Sequence, residues 1–321
     1  MPPSLKIPAP CKINLHLRVG KRRADGYHDL ESLFAATDFG DTLEFEVLKS
    51  SGVCEILTDW QVPSTRLPER SPPPRDFPVS PEENIVYKAV SLFRARTGFD
   101  RGLRVRLEKR VPLGGGLGGG SSDAAAALTA LNKLADTGLG GEDLRKMALN
   151  LGSDVPFFLS GGAALVSGRG ENIEPLPVPS GLSVLLVNPG FPSPTGLSFR
   201  RLDRWRTQRE GSGGLPGPDL SRTRLISALA EGRPEAWPYV NDFLPLFLDG
   251  QGEEAGAYRR LISSLREAGA DFTGLSGAGS TCFGVFKDRK TAEKASETLL
   301  KAWNLVYLTF FLASLTISVL K

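Results

Sequence analysis

The chain has 321 residues, 40% hydrophobic and 23% charged, with a formal net charge of +3. That length can bury a large core, in two lobes, and the balance is that of a soluble globular protein. So small a charge, with no Lys/Arg block interleaved with aromatics, makes no case for nucleic acid; two histidines and scattered Cys11, Cys54 and Cys282 offer neither a metal-ligand cluster nor a disulfide framework.

In chain order, residues 12–19 and 43–48 read as strands. On the first, Lys12, Asn14 and His16 alternate with Ile13, Leu15 and Leu17, so the three polar residues share a face suited to lining a cleft. No signal or transit peptide fits before Lys12, and the odd number of cysteines suits reduced thiols; the expected location is cytoplasmic. Gly52–Ser80, with Pro72-Pro73-Pro74, reads as a surface loop. Pro81-Glu82-Glu83-Asn84 opens a helix carrying Ile85, Ala89, Leu92 and Phe93 at helical spacing. A strand over 103–111 precedes a helix over 122–134, and Glu142–Leu151 is a helix ended by Gly152. Leu182–Asn188 is an apolar strand, and the polar, Gly/Pro-rich stretch 204–220 reads as a mobile insertion. Helices over Arg222–Ala230 and Tyr258–Ala268, a strand over Cys282–Phe286 and a last helix from Lys290 follow. Ala302–Leu320 carries no charge and approaches the ~20 residues that span a bilayer. Asn304, Thr309, Ser314, Thr316 and Ser318 interrupt it, however, and Val306, Leu308, Phe310 and Leu312 alternate. A strand completing a sheet, then an apolar tail, is expected there, and no membrane anchor. Interleaved strands and helices imply an α+β or mixed α/β protein.

The most informative stretch is Pro112-Leu113-Gly114-Gly115-Gly116-Leu117-Gly118-Gly119-Gly120-Ser121-Ser122, with six glycines in eleven residues. Leu103, Val105 and Leu107 alternate before it, and Ala-rich helix material follows from Asp123. Strand, glycine loop and helix wrap backbone N–H groups around phosphate, because glycine allows close approach and a helix start has free N–H groups. The bland alternative is a flexible linker or a turn. A P-loop needs a lysine that is missing, and a Rossmann loop needs an acid at the end of a second strand, where Asp136 does not lie. The protein-kinase motifs are also lacking. What remains is the glycine–serine loop of small-molecule kinases, and a nucleotide triphosphate is the expected ligand.

Other motifs admit ordinary readings when taken singly. Ser153-Asp154-Val155-Pro156 is a helix start with Asp154 at the N-cap or in the first turn. Ser121 and Ser122 are helix caps. Tyr27 and His28 follow Gly26 in a turn, and Ser276-Gly277-Ala278-Gly279-Ser280 is a turn before a strand. A lone Lys12 faces solvent by default.

Taken together and in this order, Ala9–Leu17, Arg23–His28, the glycine loop, Leu151–Phe158 and Leu275–Thr281 resemble the GHMP kinases, from about Ala9 to about Phe286. The Asp25-Gly26-Tyr27-His28 segment resembles the branch whose acceptor is diphosphocytidyl-methylerythritol, in non-mevalonate isoprenoid precursor synthesis. The resemblance implies a two-lobed α+β fold, with a ribosomal S5 domain 2-like N-terminal lobe and a ferredoxin-like C-terminal lobe, divided as 1–175 and 176–321. It implies ATP and Mg²⁺, with Pro112–Ser122 at the ATP phosphates and Ser121 or Ser122 at phosphate or metal. It implies Asp154 as general base, Lys12 as its partner and Asn14 near the acceptor hydroxyls. Tyr27 would stack on cytosine, His28 would read its edge, Thr195 and Phe199 would close that pocket, and Gly277 would lie near the substrate phosphates. A mevalonate- or homoserine-type kinase, or a non-catalytic nucleotide-binding module, are the alternatives. The implied partner is a small molecule, with no nucleic acid or membrane, and a homodimer is compatible with the chain. Cys11 replaces a smaller residue and, pointing away from Lys12, is expected to pack and not to react.

Overall fold

A computed structural model describes residues 4–61, 83–209 and 220–313. Its frame is an antiparallel pair, β1 (Ser4–Arg22) and β2 (His28–Ser51), joined by a turn around Gly26. Both strands run well past the apolar stretches 12–19 and 43–48, because each is paired along nearly its whole length. The other edge of β2 is shared. Its second half pairs β4 (Arg101–Lys109) and its first half pairs β5 (Ala163–Gly168), which pairs β6 (Asn172–Leu176). Cys54–Trp60, expected to be loop, is instead β3, parallel to β4. Its residues alternate between half-buried and exposed, the period of an edge strand. The rest of that expected loop, 62–80, lies outside the described residues.

Helices α1 (Ile85–Thr97), α2 (Gly119–Leu134), α3 (Gly141–Leu151) and α4 (Phe157–Ser160) complete the first core. Asn84 caps α1 by accepting from the Val86 N–H at 2.9 Å, and Gly98 ends it in the left-handed region. The apolar face of α2 is almost all alanine, Ala124 to Ala127 and Ala130, and these small side chains let the helix lie close to β1 and α1.

A second, four-stranded sheet has the order β10-β7-β9-β8, from β7 (Ser183–Asn188), β8 (Phe272–Leu275), β9 (Cys282–Phe286) and β10 (Leu305–Phe310). The uncharged C-terminal segment thus contributes a strand, antiparallel to β7. Helices α5 (Thr195–Arg209), α6 (Arg222–Glu231), α7 (Phe243–Leu248), α8 (Gly252–Glu267) and α9 (Arg289–Leu299) belong to this part. Residues 204–209, expected in a mobile insertion, are the last turns of α5; 210–219 lie outside the described residues. No helix among the described residues is long and apolar enough to cross a membrane.

Two joints fasten the sheets together. Where β1 pairing steps from Pro10↔Gly40 to Lys12↔Ala36, residues 37–39 of β2 swing out to β10: the Phe39 N–H donates to Thr309 Oγ1 at 3.0 Å, and Phe39 stacks on Tyr307. At the second joint, the Leu17 N–H donates to Val240 O and the Asp242 N–H to Leu17 O. Buried Asp242 then accepts from Arg18 at 2.8 Å, Arg206 at 2.9 Å and the Val19 N–H at 2.9 Å.

Between Asn14 and His16 the pairing slips again, so Asn14 opposes Phe34 and His16 opposes Leu33. One extra residue reverses every following side chain. His16 therefore does not share the face of Lys12 and Asn14, as simple alternation predicts; Leu17, opposite Ser32, takes that place. The buried His16 ring instead accepts the Val240 N–H on Nδ1, so in the neutral ring Nε2 carries the proton. Burial, helped by Arg18, pushes the imidazole down to about 4 from 6.5. The unfolded chain therefore takes up this proton first as pH falls. The stability is fully present above about 6.5 and is lost on the way down to about 4, a loss of about 3 kcal/mol. Urea unfolding between pH 7.5 and pH 4.5 should show that slope, and it should flatten in His16→Gln.

Candidate active site

The glycine loop is anchored from outside by its own carbonyls. Gly114 O accepts from the Ser193 N–H (2.9 Å), Gly115 O from the Thr281 N–H (3.1 Å), Gly116 O from Ser276 Oγ (2.8 Å) and Lys12 Nζ (3.1 Å), and Leu117 O from the Lys12 N–H (2.9 Å). With four successive carbonyls committed this way, the loop is held at a set height over β1 and the second glycine loop. Gly114, Gly116 and Gly118 alternate at positive φ (63°, 76° and 69°), which glycine alone adopts without strain. Gly118 is the N-cap of α2, so the helix begins at Gly119. Ser121 and Ser122 are thus not caps, as the motif suggested, but first-turn residues. The first intrahelical bond is from the Ser122 N–H to Gly118 O, so the preceding N–H groups of the turn have no helical partner and are available to an anion.

This loop walls a cavity of about 520 Å³, within the range of small-molecule sites. Lys12, Asn14, Asp154, Thr195, Phe199, Gly277 and every residue from Pro112 to Ser121 line it. Ser122 does not, being buried in the core. Lys12 is also buried: Nζ donates to Asn14 Oδ1 at 2.7 Å, lies 3.5 Å from Asp154 Oδ2, and sits 4.7 Å from the centre of the Phe34 ring. Asp154 is about a third exposed. It stands in the turn before the four-residue α4 and not at its N-cap, which is Pro156. Asn14 is held by Ser32 Oγ at 2.9 Å, and its N–H reaches Ser276 Oγ at 3.2 Å. Gly277 keeps its place through Asn241, whose Nδ2 donates to Leu275 O and Gly277 O. A carboxylate beside a buried ammonium, both at a cavity wall of unpaired N–H groups, is equipped to take a proton while anionic oxygens are neutralised.

Tyr27 and His28 do not line the cavity itself. Tyr27 is half exposed with the Arg169 guanidinium 3.7 Å over its ring, and His28 is buried with its ring 5.0 Å from Phe199. Cys11 is buried against Thr37 Oγ1, and burial pushes its thiol up to about 12, so it packs as expected.

Sequence reasoning missed Lys109, Asp41 and Asp123. Lys109 ends β4 and is buried between the two carboxylates, donating to Asp41 and, at 2.8 Å, to Asp123. Burial alone would push its ammonium down, but Asp123 and Asp41 outweigh that and raise it. Burial pushes the Asp123 carboxyl up, Lys109 pulls it back, and Asp41 adds to the rise. Asp41 Oδ1 also accepts from the Arg110 and Val111 N–H groups, fixing the entry to the glycine loop. A lysine where the buried alternation Leu103, Val105, Leu107 calls for an apolar residue was the available signal. Only the folded pairing brings its two partners to it.

Two family models match the chain, "GHMP kinases N terminal domain" over residues 84–162 and "GHMP kinases C terminal" over 225–305. They describe the class that the fold and the glycine loop define, a two-lobed small-molecule kinase. A Treponema pallidum protein named 4-diphosphocytidyl-2-C-methyl-D-erythritol kinase is 36% identical over 301 residues, covering 94% of this chain and 96% of its own. One of that name from Thermodesulfovibrio yellowstonii is 36% identical over 293 residues, covering 91% and 93%. A crystal structure of 4-(cytidine 5'-diphospho)-2C-methyl-D-erythritol kinase superposes with a TM-score of 0.74 at 32% identity, over 95% of this chain and 98% of that one. The chain belongs to the GHMP kinase family, in the branch of the 4-diphosphocytidyl-2-C-methyl-D-erythritol kinases. A homoserine kinase from Cytophaga hutchinsonii, at 19% identity and a TM-score of 0.64, shares the fold alone.

The loop geometry makes a direct prediction. A Cβ on Gly116 runs into the Ser276 carbonyl oxygen and comes 2.8 Å from that of Gly279, whereas one on Gly120 meets only Ile85 Cγ2 at 3.7 Å. Gly116→Ala should cost at least about 2 kcal/mol of stability, and Gly120→Ala should stay within about 1 kcal/mol of wild type. Parallel urea titrations measure both.

Proposed function

We propose that this kinase transfers the γ-phosphoryl group of ATP to the 2-hydroxyl of 4-diphosphocytidyl-2-C-methyl-D-erythritol, giving the 2-phosphate and ADP. The observation that carries the reading is the Lys12–Asp154 pair, 3.5 Å apart where the two glycine loops meet. The relatives at 36% identity bear the name of this reaction. Asp154 accepts the hydroxyl proton as the alcohol attacks, and Lys12 beside it neutralises charge at the reacting oxygens. Because Lys12 is gripped by Asn14 and Gly116 O, it holds this position without reorganising during the reaction. Pro112–Ser121 hold the ATP phosphates, Ser122 lying buried outside the cavity, and Asn14 and Gly277 face the acceptor. Tyr27, His28, Thr195 and Phe199 hold the cytosine end.

Mg²⁺ would enter with the nucleotide. Among the described residues no three His, Cys, Asp or Glu side chains gather to hold a metal, which suits an ion bound mainly by phosphates and water. The Ser121 hydroxyl and the Asp154 carboxylate would hold it, with the Glu83 and Asp123 carboxylates on the same cavity lining. When bound, it neutralises phosphate oxygens. The proposed lobes, 1–175 and 176–321, are supported by the first sheet ending at Leu176 and the second starting at Ser183. A cytoplasmic location suits three cysteines that are all free thiols. Mevalonate or homoserine as acceptor is not favoured, since kinases of those names match at 19% identity or less.

An ADP-release assay with ATP, Mg²⁺ and each acceptor in turn tests the reading. Turnover is expected with the diphosphocytidyl acceptor and not with mevalonate or homoserine. Asp154→Asn should lower kcat by about 10²- to 10⁴-fold. Turnover with another acceptor, or an Asp154→Asn enzyme as fast as wild type, would sink it.

A further inference from the structure

Helix α5 turns one face toward the start of β2. Thr195, Phe199 and Asp203 recur at four-residue spacing and so share that face. Phe199 lines the cavity and meets the His28 ring at 5.0 Å, tilted by 31°. One turn on, Asp203 Oδ1 lies 2.8 Å from His28 Nε2. Arg206 then fastens the helix, donating to Val19 O at 2.7 Å, Gly20 O at 3.2 Å and Asp242 at 2.9 Å. His28 is buried, so its ring is held between Phe199 and Asp203 and has little freedom to turn. A carboxylate only accepts, so Nε2 must carry the proton in this contact. The neutral ring then has a bare Nδ1, an acceptor.

We propose that Asp203 is a positioning residue for base selection: it holds His28 as the Nε2–H tautomer, leaving Nδ1 to accept from the exocyclic amino group of cytosine. The inference rests on the proposed reading of Tyr27 and His28 as the base subsite. At the position where cytosine offers an N–H donor, uracil carries a carbonyl oxygen. Against Nδ1 that oxygen would leave two desolvated acceptors face to face, the arrangement that discriminates most strongly in a polar site. Without Asp203 the ring is free to adopt the Nδ1–H tautomer, which would suit uracil. Asp203 is therefore what makes the imidazole a reader of one pyrimidine and not of both.

The chain has only two histidines, so long-range ¹H–¹⁵N NMR of the full-length protein resolves both rings, with His16→Gln assigning them. At about pH 8.5, where imidazoles are neutral, His28 should be the Nε2–H form in wild type and shift toward Nδ1–H in Asp203→Ala. In kinetics, Asp203→Ala should raise KM for the cytidine acceptor about tenfold while kcat and KM for ATP stay within about twofold. The preference for that acceptor over its uridine analogue should fall about tenfold as well. Asp203→Asn keeps an oxygen that can accept from Nε2–H and should restore most of both. An Nδ1–H ring in wild type overturns the proposal, as does an unchanged cytidine preference, or a parallel loss on both acceptors and ATP. Wild type inert toward the cytidine acceptor would overturn the reaction itself and this role with it, whereas active wild type with an unchanged ratio overturns this role alone.

Discussion

A buried ammonium must be surrounded by acceptors, and Lys12 imposes that demand on most of the active site. An unpaired charge in this position would cost several kcal/mol, so its neighbours are constrained before any ligand arrives. The Asn14 side chain, the Gly116 carbonyl and the Asp154 carboxylate meet the demand from β1, the glycine loop and the turn before α4. Gly116 can turn its carbonyl down to Lys12 only because it sits at positive φ with no side chain between it and Ser276. Ser276 bonds the same carbonyl, so the second glycine loop is drawn to the first by the same group. Lys12, Asp154 and the glycine loop are thus tied into one polar unit.

Lys109, which also lines the cavity, does the complementary job at the two ends of the glycine loop. Its ammonium is balanced by two carboxylates, Asp41 from β2 and Asp123 from α2 just past its first turn, at opposite ends of the loop. Replacing such a cluster by apolar groups can be neutral for stability, so its value is better sought in position than in energy. Here Asp41 also takes the Arg110 and Val111 N–H groups, which fixes where the chain leaves β4 and enters the glycine run. Six glycines would otherwise make this the most flexible segment of the site; instead both of its ends and four of its carbonyls are tied.

What the sequence shows and what it hides divides along the same line. Local signals carried far: the Asn84 cap, the Gly152 stop, the alternation that became β10 and the glycine run before α2 depend on neighbours in the chain. Most of the residues singled out by motif do line one cavity. The failures are non-local. His16 left the expected face because a single extra residue in β1 reverses the strand, and a bulge is set by pairing with β2 that no window of sequence contains. Cys54–Trp60 passed as loop because an edge strand needs only a weak pattern, β4 supplying its partners. Ser121 and Ser122 lie in the first turn of the helix and not at its cap because a glycine serves as the N-cap where serine is the usual choice. Asp203 and Lys109 carried no motif, and only the fold brings their partners to them.

The two joints between the sheets explain why the proposed base subsite can be built from both halves of the chain. His28 opens β2, while Phe199 and Asp203 come from α5, 171 and 175 residues later by their numbers. Such a site is only as well defined as the contact that brings its halves together. Here that contact is polar and buried: Asp242 binds an arginine from β1 and another from α5, and Val240 and Asp242 pair with Leu17 two residues from the bulge. The bulge therefore has two effects at once. It turns Leu17 into the cavity wall, and it turns His16 away to accept the Val240 N–H at the seam. The same extra residue that shapes the Leu17 side of the cavity thus anchors the segment against which α5 is fastened, so this wall and the contact of α5 with the start of β2 are set by one local departure from regular pairing.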